Sequence, residues 1–592
     1  MKEAIFRFLH QLSRKKKLNQ AELLETPLCR CLSVFDLLLI GIGHMVGSGI
    51  YVITGTVARN IAGPGIILSF LIAGIAAALA SLCYAEFGAR VPKAGSSYTY
   101  TYVTMGEFLA FLIGWSMILE NLIGASSVAK AWSGYLDSMF HGAIRNGTME
   151  HIGSMHVSWL SEYLDFVALL VVIVASIVVA VGVRASTTFN NVLVVVNVAI
   201  LLIIIAMGFH LGNLDNWTSA ENGGFLPFGM AGVVAGAGAC FYSYIGFEGI
   251  AIAGEEAKNP SKSIPVATGL AVIIASLLYI GASASLTFMI PFYLLDVTAP
   301  FPEAFSRHHV TWAKYIVSAG ALAGMSTALL NSVYCLPRSI YSMASDGLLF
   351  RFLASVHPRT QTPLASILIC GLVSGASAFL IDIDVLVELM SIGTLLGFTI
   401  VSANVLVLRY QSVSESEFQL SPDYVDCKTA CAKQDDTHYS NTPCAYKEDK
   451  LELSTTDTEK ENNHYAAKEE IKSDLDSSSP IPSIPSSDDM SIRSETLLNI
   501  GRIKKPFRHL PVLGTLPPGY ACNISVASLV FFLIVFCLIV LRATEYLTNA
   551  TWWAVLVLML SCFGITASVL VLCLHEQNTY FVTFQVGLRQ ST

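Results

Sequence analysis

Four closely spaced glycines interrupt the first long apolar segment of the chain, within the sequence Gly41–Tyr51. Each glycine costs about 0.5–1 kcal/mol relative to alanine in a helix interior, so this stretch predicts a broken helix. A break inside a lipid bilayer must be buried in protein or line a cavity, because its free backbone groups find no water there. The free amides at the start of a half-helix can then bind a substrate carboxylate. Alternatively, Gly43 and Gly47 only allow two helices to pack closely.

Ionisable side chains inside the apolar segments are the next candidates. His44 lies within the break, where it either makes the function pH-sensitive or is a hydrogen-bonded packing residue. Glu120 lies well inside the third apolar segment, where a lone carboxylate is costly. It faces a pocket, braces the broken helices or is bonded to backbone N–H groups. Lys130 and Glu388 are expected to pair or to extend towards a membrane interface.

The patterns typical of catalysis do not stand out in the sequence. We find no nucleophile–base pair, no phosphate-binding loop and no metal-ligand spacing among the 13 cysteines. The cysteines are mostly in apolar segments and read as small buried hydrophobic residues. The sequence therefore predicts no enzymatic activity, no metal, no cofactor and no nucleic-acid partner.

The elements that must position these residues are membrane-spanning helices. The chain has 592 residues, of which 54% are hydrophobic and 13% charged, whereas soluble domains carry about 25% charged residues. About twelve apolar runs are long enough to span a bilayer. They lie at about 35–58, 65–88, 107–136, 165–183, 190–209, 229–253, 265–290, 312–336, 363–381, 385–408, 522–541 and 552–574.

Basic residues and glycosylation sequons predict the orientation of these spans. An amphipathic, basic segment at 1–20 precedes the first span and is expected on the cytoplasmic side. Alternation of the spans then places the sequons at Asn146, Asn216 and Asn549 outside, where they could be glycosylated. Both termini are predicted to be cytoplasmic, in the plasma membrane or an endomembrane.

A second glycine-broken span, Gly232–Gly249, is the sixth span and lies five spans after the first. The two run in opposite directions, so the sequence predicts two inverted sets of five spans, with a binding site where the paired breaks meet. The polar, Ser- and Pro-rich stretch that follows cannot bury enough surface to fold. The predicted organisation is a cytoplasmic amphipathic N-terminus (1–34), a first repeat (35–209), a second repeat (210–408), a disordered cytoplasmic linker (409–520) and two C-terminal spans with a short tail (521–592).

Several motifs, taken in this order, resemble the amino acid–polyamine–organocation superfamily. They are Gly47–Val52, Ala62–Pro64, Cys83–Pro92, Phe241–Phe247, Gly254–Pro260, Pro337–Arg338, Ser345–Phe350 and Met390–Leu395. Within it the chain is similar to the eukaryotic cationic amino acid transporters, especially the fourth member's subgroup through Trp132–Phe140. The resemblance is dense over about residues 30–410. It implies an all-α polytopic membrane protein with a LeuT-type 5+5 inverted-repeat core and two extra C-terminal spans.

The resemblance also implies a binding site for an amino acid. Backbone amides would hold the carboxylate, at Gly47, Ser48 and Gly49. Backbone carbonyls would hold the ammonium group, at Met45, Tyr242, Ser243 and Ile245. Tyr242 would also close the pocket as an aromatic lid, unless it is an ordinary packing residue.

Three further positions bear on coupling and substrate. Glu107 matches a family position needed for activity and is expected to support structure or gating. Asn197 stands where proton-coupled relatives carry a lysine, so proton coupling is not expected. Met325 stands where carriers of arginine and lysine have a small residue. Either the pocket suits smaller substrates, the flexible thioether moves aside, or Met325 faces another helix.

The resemblance thus predicts sodium-independent facilitated diffusion or exchange of amino acids, with arginine, lysine and ornithine as expected substrates. The alternatives are a carrier of smaller neutral amino acids and a non-transporting sensor or scaffold. Carriers of this type usually have two more spans than the twelve here. The expected partners are the amino acid and the lipid bilayer, and the sequence leaves the oligomeric state open.

Overall fold

The computed structural model describes most of the chain outside the linker. The described residues are 12, 14–16, 26–47, 49–140, 142–153, 157, 160–219, 223–297, 299–410, 501–504, 507, 517–542 and 551–577. Ser48, Asn549 and nearly all of the predicted linker lie outside them, as does the side chain of Glu388.

The described residues fold into helices, with only isolated β-bridges between extended segments. The helices are α1 (Val34–Met45), α2 (Thr54–Val57), α3 (Ile66–Arg90), α4 (Ser97–Thr104), α5 (Glu107–Met139), α6 (Ala143–Ile152), α7 (Phe166–Val181), α8 (Val183–Leu211), α9 (Asp215–Thr218), α10 (Gly229–Phe241), α11 (Glu248–Ile252), α12 (Pro260–Met289), α13 (Pro300–Arg307), α14 (Thr311–Ser345), α15 (Leu364–Leu380), α16 (Ile383–Tyr410), α17 (Tyr520–Arg542) and α18 (Trp552–Leu574).

In the described part of the chain, nine helical segments are long and apolar enough to cross a membrane. They are Val34–Tyr51, Thr54–Arg90, Glu107–Met139, Val183–Leu211, Gly229–Glu256, Pro260–Met289, Trp312–Ser345, Tyr520–Val540 and Trp552–Leu574. Three shorter apolar helices add to these, at Phe166–Val181, Leu364–Leu380 and Leu396–Tyr410. The predicted all-α polytopic architecture is thereby confirmed. The relation of two inverted sets of five stays a prediction.

The first apolar segment is broken where its glycines predict. Ser33 and Asp36 form a capping box that starts α1, with Ser33 N donating to the Asp36 carboxylate over 2.9 Å. α1 ends at Met45, and a π-helical turn begins at Gly49. Around this break Val46 N still donates to Ile42 O, whereas Gly47 N turns back to Met45 O over 2.9 Å. The segment is therefore two half-helices joined by a short unwound stretch.

The second break lies between α10 and α11. A 3₁₀ turn at Tyr242–Tyr244 ends the first half-helix. Gly246 follows with a φ of 130°, in a region of backbone conformation that favours glycine. Its N–H donates to the Glu248 carboxylate over 2.9 Å, and α11 begins at Glu248. A carboxylate at the N-terminus of α11 matches the positive end of the helix dipole.

Long helices surround the two breaks. α3 packs along α12 and α5 packs along α14, and these are the most extensive helix pairs of the bundle. α1 lies between α12, α8 and α14. The C-terminal helices α17 and α18 pack on each other and join the bundle through α16, where the Tyr410 hydroxyl donates to Leu572 O over 2.8 Å.

Candidate functional site

A small cavity lies where the two breaks meet. The lining residues are His44, Met45, Gly49, Gly124, Val128, Tyr242, Ser243, Ile245, Ala328 and Ser332. The structure thus brings together six residues that the sequence singled out, from both broken segments.

The two breaks approach each other closely at Gly49. A Cβ atom added to Gly49 would lie 2.7 Å from the Ser243 Oγ and 2.8 Å from the Ser243 Cα. Only glycine fits there without displacing the opposite backbone. Gly47 is similarly close to α14, since a Cβ there would lie 2.6 Å from the Ala328 Cβ. Gly47 itself does not line the cavity.

The Tyr279 hydroxyl of α12 connects the two breaks. It is within hydrogen-bond distance of Met45 O, at 2.8 Å, and of Ser243 O, at 2.7 Å. Tyr279 is fully buried. Two of the four carbonyls expected to hold a substrate ammonium group are therefore hydrogen-bonded to this hydroxyl. A hydroxyl has one proton, which these two carbonyls share.

Asn197 of α8 supports the first break from behind. Its Nδ2 donates to Val46 O over 2.9 Å, and its Oδ1 accepts from the Tyr51 hydroxyl over 2.6 Å. Asn197 and Tyr51 are fully buried. A neutral amide therefore holds the unwound carbonyl of the break.

Three polar side chains belong to the cavity wall. The half-buried His44 places its Nε2 3.2 Å from the Ser332 Oγ of α14. Its Nδ1 is buried and has no hydrogen-bond partner among the described residues. The Ser243 Oγ is also buried without a partner there, and Ser243 is 2% exposed. Buried polar atoms in proteins are usually paired, so unpaired atoms at a cavity indicate room for a ligand that pairs them.

Two buried carboxylates lie near the cavity but do not line it. Glu120 of α5 is one helical turn before Gly124 and accepts a hydrogen bond from the Thr394 hydroxyl over 2.7 Å. Glu248, which sequence reasoning missed, lies within electrostatic range of Glu120. A carboxylate in the middle of the second broken segment was the signal that could have identified it. In this structure Glu120 braces α5 against α16.

Two predicted residues lie away from the cavity. Met325 is fully buried in α14, whereas Ala328, almost one turn further along, lines the cavity. Glu107 lies at the start of α5, where Arg14 Nε donates to its carboxylate over 2.8 Å and the Tyr102 hydroxyl donates over 2.9 Å. Burial is the largest of the causes that raise the pKa of Tyr102, so this hydroxyl stays a donor. Glu107 therefore fastens an N-terminal segment rather than contacting the cavity.

The side of the bundle at which α1 begins, called the α1 side, is rich in ion pairs. They are Arg14–Glu107, Lys16–Asp346, Arg90–Glu86, Lys93–Glu255, Arg338–Glu256 and Arg409–Glu86. Arg338 and Glu256 are completely buried, and the guanidinium lies 3.4 Å from the centre of the Tyr334 ring. Arg409–Glu86 joins α16 to α3, and Arg338–Glu256 joins α14 to the segment that follows α11. Arg14 and Lys16, which precede α1, pair with the start of α5 and with the residue that follows α14.

Sequence reasoning missed the cavity residues from α5 and α14. Gly124 and Val128 follow Glu120 at helical spacing, so the carboxylate could have identified that face. Ala328 and Ser332 have no comparable signal, since small residues are common throughout α14.

The predicted glycosylation sequons differ in their surroundings. Asn146 is exposed, whereas Asn216 Nδ2 donates to Phe288 O over 2.7 Å.

Known proteins resemble a large part of this chain. The amino acid permease family model matches residues 32–425. The mouse protein named cationic amino acid transporter 4 is 48% identical over 408 residues, which are 69% of this chain and 64% of that protein. The human protein of the same name is 48% identical over 411 residues, with the same shares. A Bacillus subtilis protein named methylthioribose transporter is 40% identical over 403 residues, covering 68% of this chain and 86% of the relative. The chain thus matches less than two thirds of the length of the two mammalian relatives.

Proposed function

This chain belongs to the amino acid permease family, and on that premise we propose that it carries amino acids across a membrane by alternating access. The cavity between the two breaks is the observation on which the proposal rests, because it lies where secondary transporters of this kind bind substrate. The relatives are named transporters, which points to a carrier rather than an enzyme.

In this proposal backbone amides bind the substrate's carboxylate, and backbone carbonyls bind its ammonium group. The carboxylate binds amides at Gly47, Ser48 and Gly49, where a half-helix begins. The ammonium group binds carbonyls at Met45, Tyr242, Ser243 and Ile245. The close approach of Gly49 to Ser243 supports this arrangement, since a small zwitterion could contact both breaks at once. Tyr242 acts as the lid, and the two sets of five spans rock around the site.

Cationic amino acids such as arginine, lysine and ornithine are the first substrate candidate, because the mammalian relatives carry that name. Uptake would be sodium-independent, by facilitated diffusion or exchange, with Asn197 replacing a titratable amine. A negative-inside potential drives the entry of a monovalent cation by about 2.3 kcal/mol per 100 mV. Smaller neutral amino acids are the second candidate, because none of the described lining residues is acidic.

Uptake by the full chain in proteoliposomes tests the proposal. Labelled alanine, threonine, arginine and lysine are supplied in sodium-free buffer, with and without a negative-inside potassium diffusion potential. Saturable uptake of any of them supports a carrier, and stimulation by the potential identifies a cationic substrate. Binding without flux would instead support the sensor alternative. The absence of both binding and flux would refute the proposed function.

The location is proposed from the sequence. The described helices and the relatives indicate a multi-pass membrane protein. We place it in the plasma membrane or an endomembrane, with the α1 side and both termini in the cytoplasm. A protease added outside intact cells should leave a tag at residue 1 uncut. Cleavage of this tag would contradict the proposed orientation.

A further inference from the structure

We propose that His44, Gly124 and Ser332 form a subsite for the substrate side chain, and that it selects a short neutral side chain bearing a hydroxyl or amide group. This inference rests on the proposed function, since it assumes that an amino acid occupies the cavity. It goes beyond that function because it assigns the substrate class from residues outside the two main-chain binding segments.

The directions of their helices place the three residues towards the same end of the cavity. α1 begins at the α1 side and reaches His44 just before its break, whereas Gly49 lies beyond the break. α5 also begins at the α1 side, so Gly124 lies one turn nearer to that side than Val128. α14 runs the opposite way, which places Ser332 one turn nearer to the α1 side than Ala328.

The other end of the cavity holds the expected main-chain contacts. Gly49 and Ser243 approach each other there, and the unpaired Ser243 hydroxyl lies beside Gly49. An amino acid that places its carboxylate at Gly49 uses the nearby carbonyls for its ammonium group. Its side chain can then extend towards His44 and Ser332. Gly124 leaves room at this end, since it adds no side chain to the wall.

His44 and Ser332 offer unfilled hydrogen-bonding capacity in either tautomer. If His44 Nε2 donates to the Ser332 Oγ, the Ser332 proton stays available to a ligand. If the Ser332 hydroxyl donates to Nε2, its lone pairs stay available. A hydroxyl or an amide can both donate and accept, so it matches both cases. A methyl group would leave this remaining hydrogen-bonding capacity unfilled.

The charge of the subsite disfavours a basic side chain. Ammonium and guanidinium groups are donors only and are costly to bury without a negative partner. No acidic residue appears among the described residues that line the cavity. Glu120 lies a turn beyond Gly124 and accepts from Thr394. The imidazole of His44 offers no compensating negative charge.

The position of His44 is fixed by its surroundings. A Cβ added to Gly246 would lie 2.9 Å from the His44 Cγ, and one added to Gly249 would lie 2.9 Å from Nδ1. Two glycines of the second broken segment therefore hold the ring against the wall. A ring held in place limits the length of side chain that the cavity accepts, which favours serine, threonine and asparagine over longer residues.

Competition binding on the purified full chain tests the subsite. Threonine and valine have nearly the same shape and differ by a hydroxyl in place of a methyl group. We expect each to compete with labelled alanine, with a Kd about three- to tenfold lower for threonine than for valine, as one neutral hydrogen bond provides. Arginine and lysine are expected to compete more weakly than threonine.

Variants then separate the side-chain contact from main-chain binding. Ser332→Ala and His44→Phe should each bring the Kd of threonine and the Kd of valine to about the same value. Ser339→Ala is the matched control, because this serine lies on α14, is 1% exposed and donates to its own helix at Cys335 O. It should keep the full ratio of the two Kd values.

Each outcome decides a different claim. If alanine binds but the wild type does not distinguish threonine from valine, the subsite is wrong and the proposed function stands. The same conclusion follows if arginine or lysine competes better than threonine. If no amino acid binds to folded protein, both the subsite and the proposed function are refuted. The subsite is supported if the wild type and Ser339→Ala bind threonine more tightly than valine, and if Ser332→Ala and His44→Phe each lose this preference.

Discussion

Replacing Tyr279 with phenylalanine should make amino acids bind more tightly while it destabilises the empty protein. In this structure the Tyr279 hydroxyl occupies Met45 O and Ser243 O, at 2.8 and 2.7 Å. The proposed ammonium site uses the same two carbonyls. We expect the ammonium group to displace this hydroxyl, so that the free energy of the existing hydrogen bonds opposes binding.

The magnitude follows from the cost of an unpaired carbonyl. A neutral hydrogen bond contributes about 0.5–1.5 kcal/mol, and a buried group left unpaired costs about 1–3 kcal/mol. In Tyr279→Phe the empty site carries this cost, and a bound ammonium group removes it. A net gain of about 1–2 kcal/mol corresponds to a Kd for alanine about 5- to 30-fold lower. Propionate lacks the ammonium group and should gain nothing.

The measurement is equilibrium binding of labelled alanine together with thermal unfolding in detergent, followed by tryptophan fluorescence. Tyr410→Phe is the matched control, since its buried hydroxyl also donates to a backbone carbonyl, that of Leu572, far from the cavity. It should lower the unfolding temperature without changing affinity. An unchanged or higher Kd in Tyr279→Phe, with normal folding, would refute the displacement of this hydroxyl by the ammonium group.

Three other predictions follow from the described contacts. Gly49→Ala should weaken alanine binding at least about tenfold, because the new methyl group would lie 2.7–2.8 Å from Ser243 in the opposite break. Unchanged binding would refute the assignment of the Gly49 amide to the substrate carboxylate. Arg338→Met should destabilise the protein by about 3–5 kcal/mol in thermal or denaturant unfolding, because Glu256 is left buried without its partner. The exposed control Arg307→Met should change stability by less than about 1 kcal/mol, and equal effects would contradict the burial argument. Asn146→Gln should reduce the gel shift seen on glycosidase treatment, and an unchanged shift would contradict its outside placement.

The sequence alone was sufficient to predict the spans and both breaks. Hydropathy and glycine content act locally, so twelve apolar runs and two glycine-rich stretches can be recognised without tertiary information. The breaks between Met45 and Gly49 and around Gly246 occur where those glycines lie. The backbone contacts of a bound amino acid remain predictions, although five of the residues named for them line one cavity.

Only the tertiary structure decided which side chains reach that cavity. The rotation of α14 is set by its packing against α5 and α8, and it turns Ser332 rather than Met325 towards the site. Tyr279 meets both breaks only because α12 brings its hydroxyl between carbonyls that are distant in sequence. Glu107 and Arg14 are likewise distant in sequence and are brought into contact only by the tertiary fold. Sequence patterns define where helices run and break, whereas helix rotation and close approach depend on the packing of the whole bundle.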